Sequence, residues 1–373
     1  MRNDNEMTEI TATFANHPNP WPEGAERRAL VLMSGGVDSS AAALLLLKRG
    51  FCVAGLTMDV ANGGDSACES AANVCRALSI PHFCVNVARQ FRARVSAPFC
   101  AAYKLGLTPN PCADCNERVK FGLLDELSRQ RWGEGFRLAT GHYARIAEHG
   151  GHACLATAAC HQKDQSYFLA GVPRSIIERT LFPLGEFASK DKTRAFVREA
   201  GLPVADRPES MEICFADEKD YRAVIDAPGE PGPITDEAGR VIGRHNGIAG
   251  YTLGQRKGLG VSSPFPLFVT EIRPCDNTIV VAPRDGAFSH EVRAARVNLL
   301  APELLANGPL RGKIRSQGEP APCVMTSCSQ DAMTVRFDEP VFAPAPGQRL
   351  VVYTEDGIVA AGGVISRAET GKN

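Results

Sequence analysis

Leu32-Met33-Ser34-Gly35-Gly36-Val37-Asp38-Ser39-Ser40 decides the fold. An apolar run, Ala29 to Met33, precedes it and a helical pattern, Ser39 to Leu47, follows, so the stretch reads as strand, tight turn, helix. Two glycines let the backbone turn sharply and bring its N–H groups close to an anion. The hydroxyls of Ser34, Ser39 and Ser40 add donors at a helix start. Phosphate is the guest that such a turn suits. No lysine closes the loop as in GxxxxGK[ST], and GxGxxG is absent, so neither the Walker loop nor the dinucleotide fingerprint is present.

Outward from this turn, apolar runs at Val53 to Met58 and Phe83 to Val87 alternate with a helical stretch at Cys68 to Leu78, giving β-α-β-α-β order. That order predicts a Rossmann-like α/β domain with a parallel sheet covered by helices. A proline-rich loop, TPNPCADCNERVKFG, leads into an expected helix from about Asn116 to Gln130. A strand at Arg137 to Thr140 then ends in GHY, and a helix is expected near Lys190 to Ala200. A stretch rich in Gly and Pro from Ala227 through Gly260 reads as a small, loop-rich middle domain. Short strands then follow, at Phe268 to Ile272, Thr278 to Ala282, Val292 to Leu299, Gly312 to Arg315, Pro322 to Ser327, Met333 to Phe337, Arg349 to Thr354 and Ile358 to Ile365, as in a C-terminal β-barrel. The expected division is a flexible extension over 1–26, a nucleotide-binding catalytic domain over 27–210, a central domain over 211–267 and a barrel over 268–370.

With 373 residues the chain is long enough for two or three domains, and 44% hydrophobic with 22% charged residues excludes a disordered or fibrous chain. No apolar run reaches the ~20 residues of a membrane span, and the polar start predicts no export signal, so a cytoplasmic protein is expected. The net charge of -1 denies global basic character, so any polyanion must be met by a local patch.

Thirteen cysteines, an odd number, argue for thiol, metal or redox chemistry rather than a disulfide scaffold. Cys112 and Cys115 in PNPCADCN and Cys214 in ESMEICF stand apart. The other ten, Cys68 and Cys84 among them, are expected to be buried structural thiols. Cys115 directly precedes the expected helix, where the helix dipole and free N–H groups favour a thiolate. The CxxC spacing alone fits a zinc site, a redox pair or part of an iron–sulfur site.

The glycine turn resembles the SGGxDS signature of the PP-loop ATP pyrophosphatases, whose domain is adenine nucleotide alpha hydrolase-like and which cleave ATP between the α and β phosphates. SGGVDSS, TPNPCADCNERVKFG, ATGHYAR, KDQSYFL, ESMEICF, YTLGQRKGLG and PGQRLVVY together, in this order, resemble the bacterial tRNA-specific 2-thiouridylases from about Ala29 to Ser366. The resemblance implies ATP bound by Leu32, Met33, Ser34, Gly35, Gly36, Val37, Asp38, Ser39, Met58 and Gly141, with Asp38 helping to hold Mg2+. It implies Cys115 as the catalytic nucleophile and Cys214 as the carrier of persulfide sulfur. Asn110, Pro111 and Cys112 would frame the flipped target base, and His142, Lys163, Asp164, Gln165 and Gln348 would approach the tRNA anticodon arm. A cysteine desulfurase or sulfur-relay protein is the implied donor.

Two departures stand out. Many family members have Asp where this chain has Cys112, and an Arg-Tyr pair of the last domain corresponds here to Arg315-Ser316, which removes a stacking aromatic. Cys112 also supplies the third thiolate that a 4Fe-4S cluster on Cys112, Cys115 and Cys214 would need, a rival to a Cys115–Cys214 disulfide cycle. From other classes, an amide-forming PP-loop ligase would need no reactive cysteine, and a non-enzymatic sulfur-carrier or RNA-binding protein would use CxxC structurally.

Overall fold

The computed structural model describes residues 17–61, 66–207, 214–215, 229–306 and 308–367. These form two compact units: one drawn from 1–94 and 113–210, the other from 95–112 and 211–373.

In the first unit, β1 (Arg28–Leu32), β2 (Cys52–Asp59), β3 (His82–Asn86), β4 (Arg137–Thr140) and β7 (Thr180–Leu181) form a sheet of order β3-β2-β1-β4-β7, parallel throughout. Ala29, Leu30 and Val31 of β1 are fully buried, as a central parallel strand covered on both faces requires. Helix α1 (Val37–Lys48) lays Ala41, Ala42, Ala43 and Leu46 onto a core with Val31, Met33 and Val53. Small alanines on the helix allow this close approach to the sheet. Helix α2 (Ser66–Ala77) contributes Ala71, Val74 and Cys75 to the same core, and burial lifts the Cys75 thiol to about 12, an inert group.

After β3 the chain runs through α3 (Ala88–Phe91) into α4 (Ala97–Lys104) and then α5 (Pro111–Cys115). A π-helical segment, Asn116–Leu123, joins α5 to α6 (Leu124–Trp132). A two-stranded hairpin, β5 (Arg145–His149) with β6 (His152–Ala156), follows β4. The short helices α7 (Ser166–Leu169) and α8 (Arg174–Ile177) precede β7, and α9 (Lys190–Glu199) begins with Ser189 accepting a hydrogen bond from the Lys192 N–H at 3.3 Å.

Part of the leading segment expected to be flexible is anchored. Trp21 is 5% exposed, stacks on Phe136 and meets Trp132 edge-on, while the Trp132 indole N–H donates to the Pro18 carbonyl. Residues 1–16 of that extension lie outside the described residues. Cys68 and Cys84, expected as separate thiols, are joined as a disulfide with Cα atoms 6.1 Å apart. The first turn of α2 faces the edge strand β3 here, a proximity that 16 residues of separation conceal.

In the second unit, β8 (Gly232–Thr235), β9 (Val241–His245), β10 (Phe268–Arg273) and β11 (Thr278–Ala282) form a sheet of order β10-β11-β8-β9 around Ile234, Val269, Ile279 and Val281. The strands β10 and β11, expected in the barrel, thus belong to the middle module, because Ile279 and Val280 pair in parallel with Ile234 and Thr235. The barrel itself closes over β12 (Phe288–Leu299), β13 (Leu310–Lys313), β14 (Ala321–Cys328), β15 (Ala332–Phe342), β16 (Arg349–Thr354) and β17 (Val359–Ile365), in the order β12-β15-β14-β13-β16-β17. Val292, Met333, Val335, Phe337, Leu350 and Val352 fill its interior. No helix among the described residues is long and apolar enough to cross a membrane.

Candidate nucleotide and thiol site

The turn between β1 and α1 is held by its own hydroxyls. The Ser34 N–H donates to Ser39 Oγ at 3.1 Å, and the Ser39 and Ser40 hydroxyls donate to the Gly36 carbonyl at 3.2 and 2.8 Å. Gly36 caps α1 without any side-chain hydrogen bond, so the first turn of a 12-residue helix presents its N–H groups and positive dipole end without a resident capping oxygen. Gly35 takes φ +69 there, and Arg207 clips the turn by donating to the Gly35 carbonyl at 2.9 Å and to Ser70 Oγ at 2.6 Å.

The end of β4 closes over the same turn. A Cβ on Gly141 would lie 2.6 Å from the Asp38 carbonyl carbon and 2.7 Å from the Ser39 nitrogen, so backbone meets backbone at a distance only glycine permits. Asp38 accepts from Lys190 Nζ on both carboxylate oxygens, at 2.5 and 2.6 Å, and from the Tyr143 hydroxyl at 3.2 Å, while Tyr143 also pairs with Thr193 at 2.7 Å. The Asp38 side chain remains 35% exposed. A carboxylate with a lysine at the mouth of an uncapped helix start fits a metal–polyphosphate ligand: the carboxylate suits a hard divalent cation and the ammonium suits phosphate oxygens. Lys190, Tyr143 and Arg207 were not singled out from sequence. Tyr143 stands in the quoted GHY, but one lysine and one arginine in polar runs carried no signal. Leu32 and Met58 sit half-buried at the C-terminal ends of β1 and β2, with Met33 and Val37 buried beside them.

Gln165 is held against Tyr143, the neighbour of His142. Gln165 Oε1 accepts from the Tyr143 N–H at 3.0 Å, and the Gln165 N–H donates back to the Tyr143 carbonyl at 2.8 Å. Asp164 accepts from the Ala158 N–H at 2.9 Å and the Ser166 hydroxyl at 2.7 Å, so its carboxylate shapes the segment. His142 Nδ1 pairs with Thr140 Oγ1 at 2.7 Å, between the rings of Phe121 and Phe182. Burial first, then the nearby Lys120 charge, hold the imidazole well below its usual 6.5. The unfolded chain therefore takes up the proton first as pH falls. The contribution of neutral His142 to stability is complete above about pH 6.5, declines below it and stops declining once the pH passes the folded value. Denaturant midpoints between pH 7.5 and 5 should fall for the native chain, with the fall reduced in His142→Gln.

The helix expected from Asn116 begins at Pro111 instead. Proline at the first helical position fixes φ and lacks the N–H that would go unpaired, so the run starts five residues early. Cys115 consequently lies one turn inside the helical run, 6% exposed, and Cys112 is the exposed thiol at its start. The π-helical widening begins at Asn116, which is 2% exposed and donates to the Phe168 carbonyl at 3.1 Å, while its Oδ1 is buried without a partner. Cys214 is an exposed thiol outside the disulfide, and the Phe215 ring after it meets Phe99 edge-on. Cys115 belongs to the first unit, and Asn110, Pro111, Cys112, Cys214 and Gln348 to the second.

In the second unit the Gln348 amide donates to the carbonyls of Thr108 at 3.0 Å and Pro109 at 3.5 Å. Arg315 donates to the Ala343 carbonyl at 2.7 Å and lies over the Phe342 ring. Among the described residues, no three His, Cys, Asp or Glu side chains come together as a metal ion would require, so the cluster reading gains no support.

A parallel sheet with a hydroxyl-rich glycine turn, an uncapped helix start and a carboxylate–lysine pair at its rim defines a phosphate-binding α/β protein, extended by a middle sheet and a β-barrel. Three family models match this chain in the same order: a tRNA methyl transferase HUP domain at 27–218, a tRNA methyl transferase PRC-barrel domain at 225–283 and an aminomethyltransferase beta-barrel domain at 289–365. The tRNA-specific 2-thiouridylase MnmA 1 of Syntrophus aciditrophicus is 41% identical over 356 residues, 92% of this chain and 94% of its own length. The tRNA-specific 2-thiouridylase MnmA of Trichormus variabilis is 38% identical, covering 91% of this chain and 99% of its own. The bifunctional protein NifU/MnmA of Rubrobacter xylanophilus is 41% identical, covering 93% and 71%. The chain belongs to the tRNA-specific 2-thiouridylase family.

Proposed function

We propose that this chain is a cytoplasmic, ATP-dependent sulfurtransferase that converts the wobble uridine of the tRNA anticodon to 2-thiouridine. The observation that carries the reading is the Gly36–Ser39 turn, sealed by Gly141 and rimmed by Asp38 and Lys190, in a chain that also bears Cys115 and Cys214. Uracil O2 is a poor leaving group, and its attack on the α-phosphorus of ATP, with loss of pyrophosphate, makes it part of AMP, a good one. The N–H groups at the start of α1 hold the phosphates, and Lys190 turns toward the departing pyrophosphate. Asp38 would hold Mg2+, which supplies neutralisation of the polyphosphate charge.

Asn110, Pro111 and Cys112 frame the flipped base, and His142 with Lys163, Asp164 and Gln165 lines the approach of the anticodon arm. Cys214 receives persulfide sulfur from a cysteine desulfurase or relay protein. Its terminal sulfur attacks C2, AMP leaves, and the Cys115 thiolate attacks Cys214 Sγ, breaking the S–S bond and leaving sulfur on the base. The resulting Cys115–Cys214 disulfide is reopened by two electrons and two protons from a dithiol reductant. Nucleoside analysis of tRNA from a strain lacking this gene tests the reading: 2-thiouridine derivatives should disappear and return with the intact gene, and unchanged thiolation would remove it.

A further inference from the structure

Gln348 is the residue whose observed contacts depart most from its expected role. Resemblance places it against tRNA, yet its amide is spent on the chain itself, donating to the carbonyls of Thr108 and Pro109. The Thr108 N–H in turn donates to the Pro346 carbonyl at 2.7 Å, so the Pro346–Gln348 turn grips Thr108 through both its donor and its acceptor. Gly347 lies flat against the same residue: at φ +98, a Cβ there would stand 3.0 Å from the nitrogen, carbon and oxygen of Thr108. Arg367, beyond β17, adds a donor to the Leu105 carbonyl. The turn is itself fixed, because the Gly347 N–H donates to the Ile365 carbonyl at 2.9 Å and the Ile365 N–H to the Gln348 carbonyl at 2.8 Å.

The segment held in this way, Leu105 to Pro109, ends directly before Asn110, Pro111 and Cys112. Two prolines, Pro109 and Pro111, leave the intervening chain with few donors of its own and restrict the residues before them, so its course depends on what holds Thr108. We infer that Gln348 is a positioning residue: through the Thr108 and Pro109 carbonyls, the barrel turn sets the course of the Asn110–Cys112 segment that receives the target base. The inference rests on the proposed role of that segment, but its first test does not.

Hydrogen–deuterium exchange of the full-length protein without RNA, read on peptides covering 105–115, is compared between the native chain and Gln348→Ala. One lost hydrogen bond of ordinary strength predicts exchange of the Thr108 amide faster by about tenfold. With tRNA and ATP, a segment out of position lowers kcat by a similar factor and leaves KM for tRNA within about twofold, whereas loss of an RNA contact would raise KM and spare kcat. Unchanged exchange, or a loss confined to KM, overturns the inference. Gln348→Glu serves as the second variant. Its carboxylate cannot donate to either carbonyl, but its protonated form can, so exchange of Thr108 relative to the native chain should slow as pH is lowered toward the carboxylic acid range. Relative exchange that stays unchanged with pH would also overturn it. Because the exchange reading needs neither RNA nor ATP, it stands or falls separately from the substrate.

Discussion

Gly141→Ala should abolish ATP-dependent turnover while leaving the chain folded. The added methyl has nowhere to go: it would stand 2.6, 2.7 and 2.8 Å from the Asp38 carbon, the Ser39 nitrogen and the Asp38 oxygen, all backbone atoms of the first turn of α1. No rotamer relieves a clash with backbone, so either β4 retreats or the helix start moves. A buried methyl forced into a packed place costs about 1–3 kcal/mol, which a domain of this size survives. The catalytic cost is larger. Displacing groups that hold a reacting phosphate by about 1 Å costs on the order of 100-fold. Pyrophosphate release in the presence of tRNA should therefore fall by at least about that factor, with the thermal midpoint lowered by only a few degrees. Gly36→Ala is the informative contrast, since a Cβ there meets only Ser34 Oγ, at 3.4 Å. Should Gly141→Ala release pyrophosphate at the native rate, the turn would not be the phosphate site.

Cys115→Ala should leave adenylation intact and, without dithiol, abolish formation of 2-thiouridine. In the proposed sequence the Cys115 sulfur acts only after sulfur has reached C2, when it must break the bond to Cys214. In an assay of persulfide-loaded protein without dithiol, the variant therefore traps RNA on the protein through a disulfide to Cys214, and a dithiol added afterwards releases it as thiolated RNA. The prediction is read by mass spectrometry: AMP and pyrophosphate appear to about one equivalent per protein, by the stoichiometry of one sulfur per cycle, and free thiolated RNA appears only after the dithiol. Cys112→Ala separates the rival chemistry. A cluster on three thiolates would be lost with any one of them, whereas the disulfide cycle needs no thiolate at Cys112, so Cys112→Ala weakens only the framing of the base and keeps part of the activity that Cys115→Ala loses. Retained activity in Cys115→Ala would sink the cycle, and equal loss in Cys112→Ala would favour the cluster.

Much of this was legible in the sequence because it is local. The strand at Thr278–Ala282 and the one at Arg349–Thr354 fall where apolar runs bounded by turn residues placed them, and the glycine turn declared its strand-turn-helix geometry. What was not legible is non-local. Nothing in Phe268–Arg273 or Thr278–Ala282 says whether its partner is the barrel or β8, since pairing depends on which apolar faces meet. Lys190 reaches Asp38 across 152 residues and Arg207 reaches Gly35 across 172, and a single charged side chain carries no period by which to be found. The disulfide between Cys68 and Cys84 was missed for a different reason: the compartment argument set the expectation against any such bond, whereas the pairing follows from where α2 crosses β3. The start of the helix at Pro111 could have been read, because proline at a first helical position is a start signal.

The division of the chain has a consequence for its biosynthesis. Residues 95–112 emerge early from the ribosome, but their partners in the second unit, the Pro346–Gln348 turn and Arg367 among them, are translated more than two hundred residues later. At bacterial and eukaryotic elongation rates that delay is on the order of tens of seconds. Throughout it the nascent chain exposes Phe99 and Tyr103, both buried in the finished protein, so this segment is where a holdase chaperone would find its hydrophobic handle.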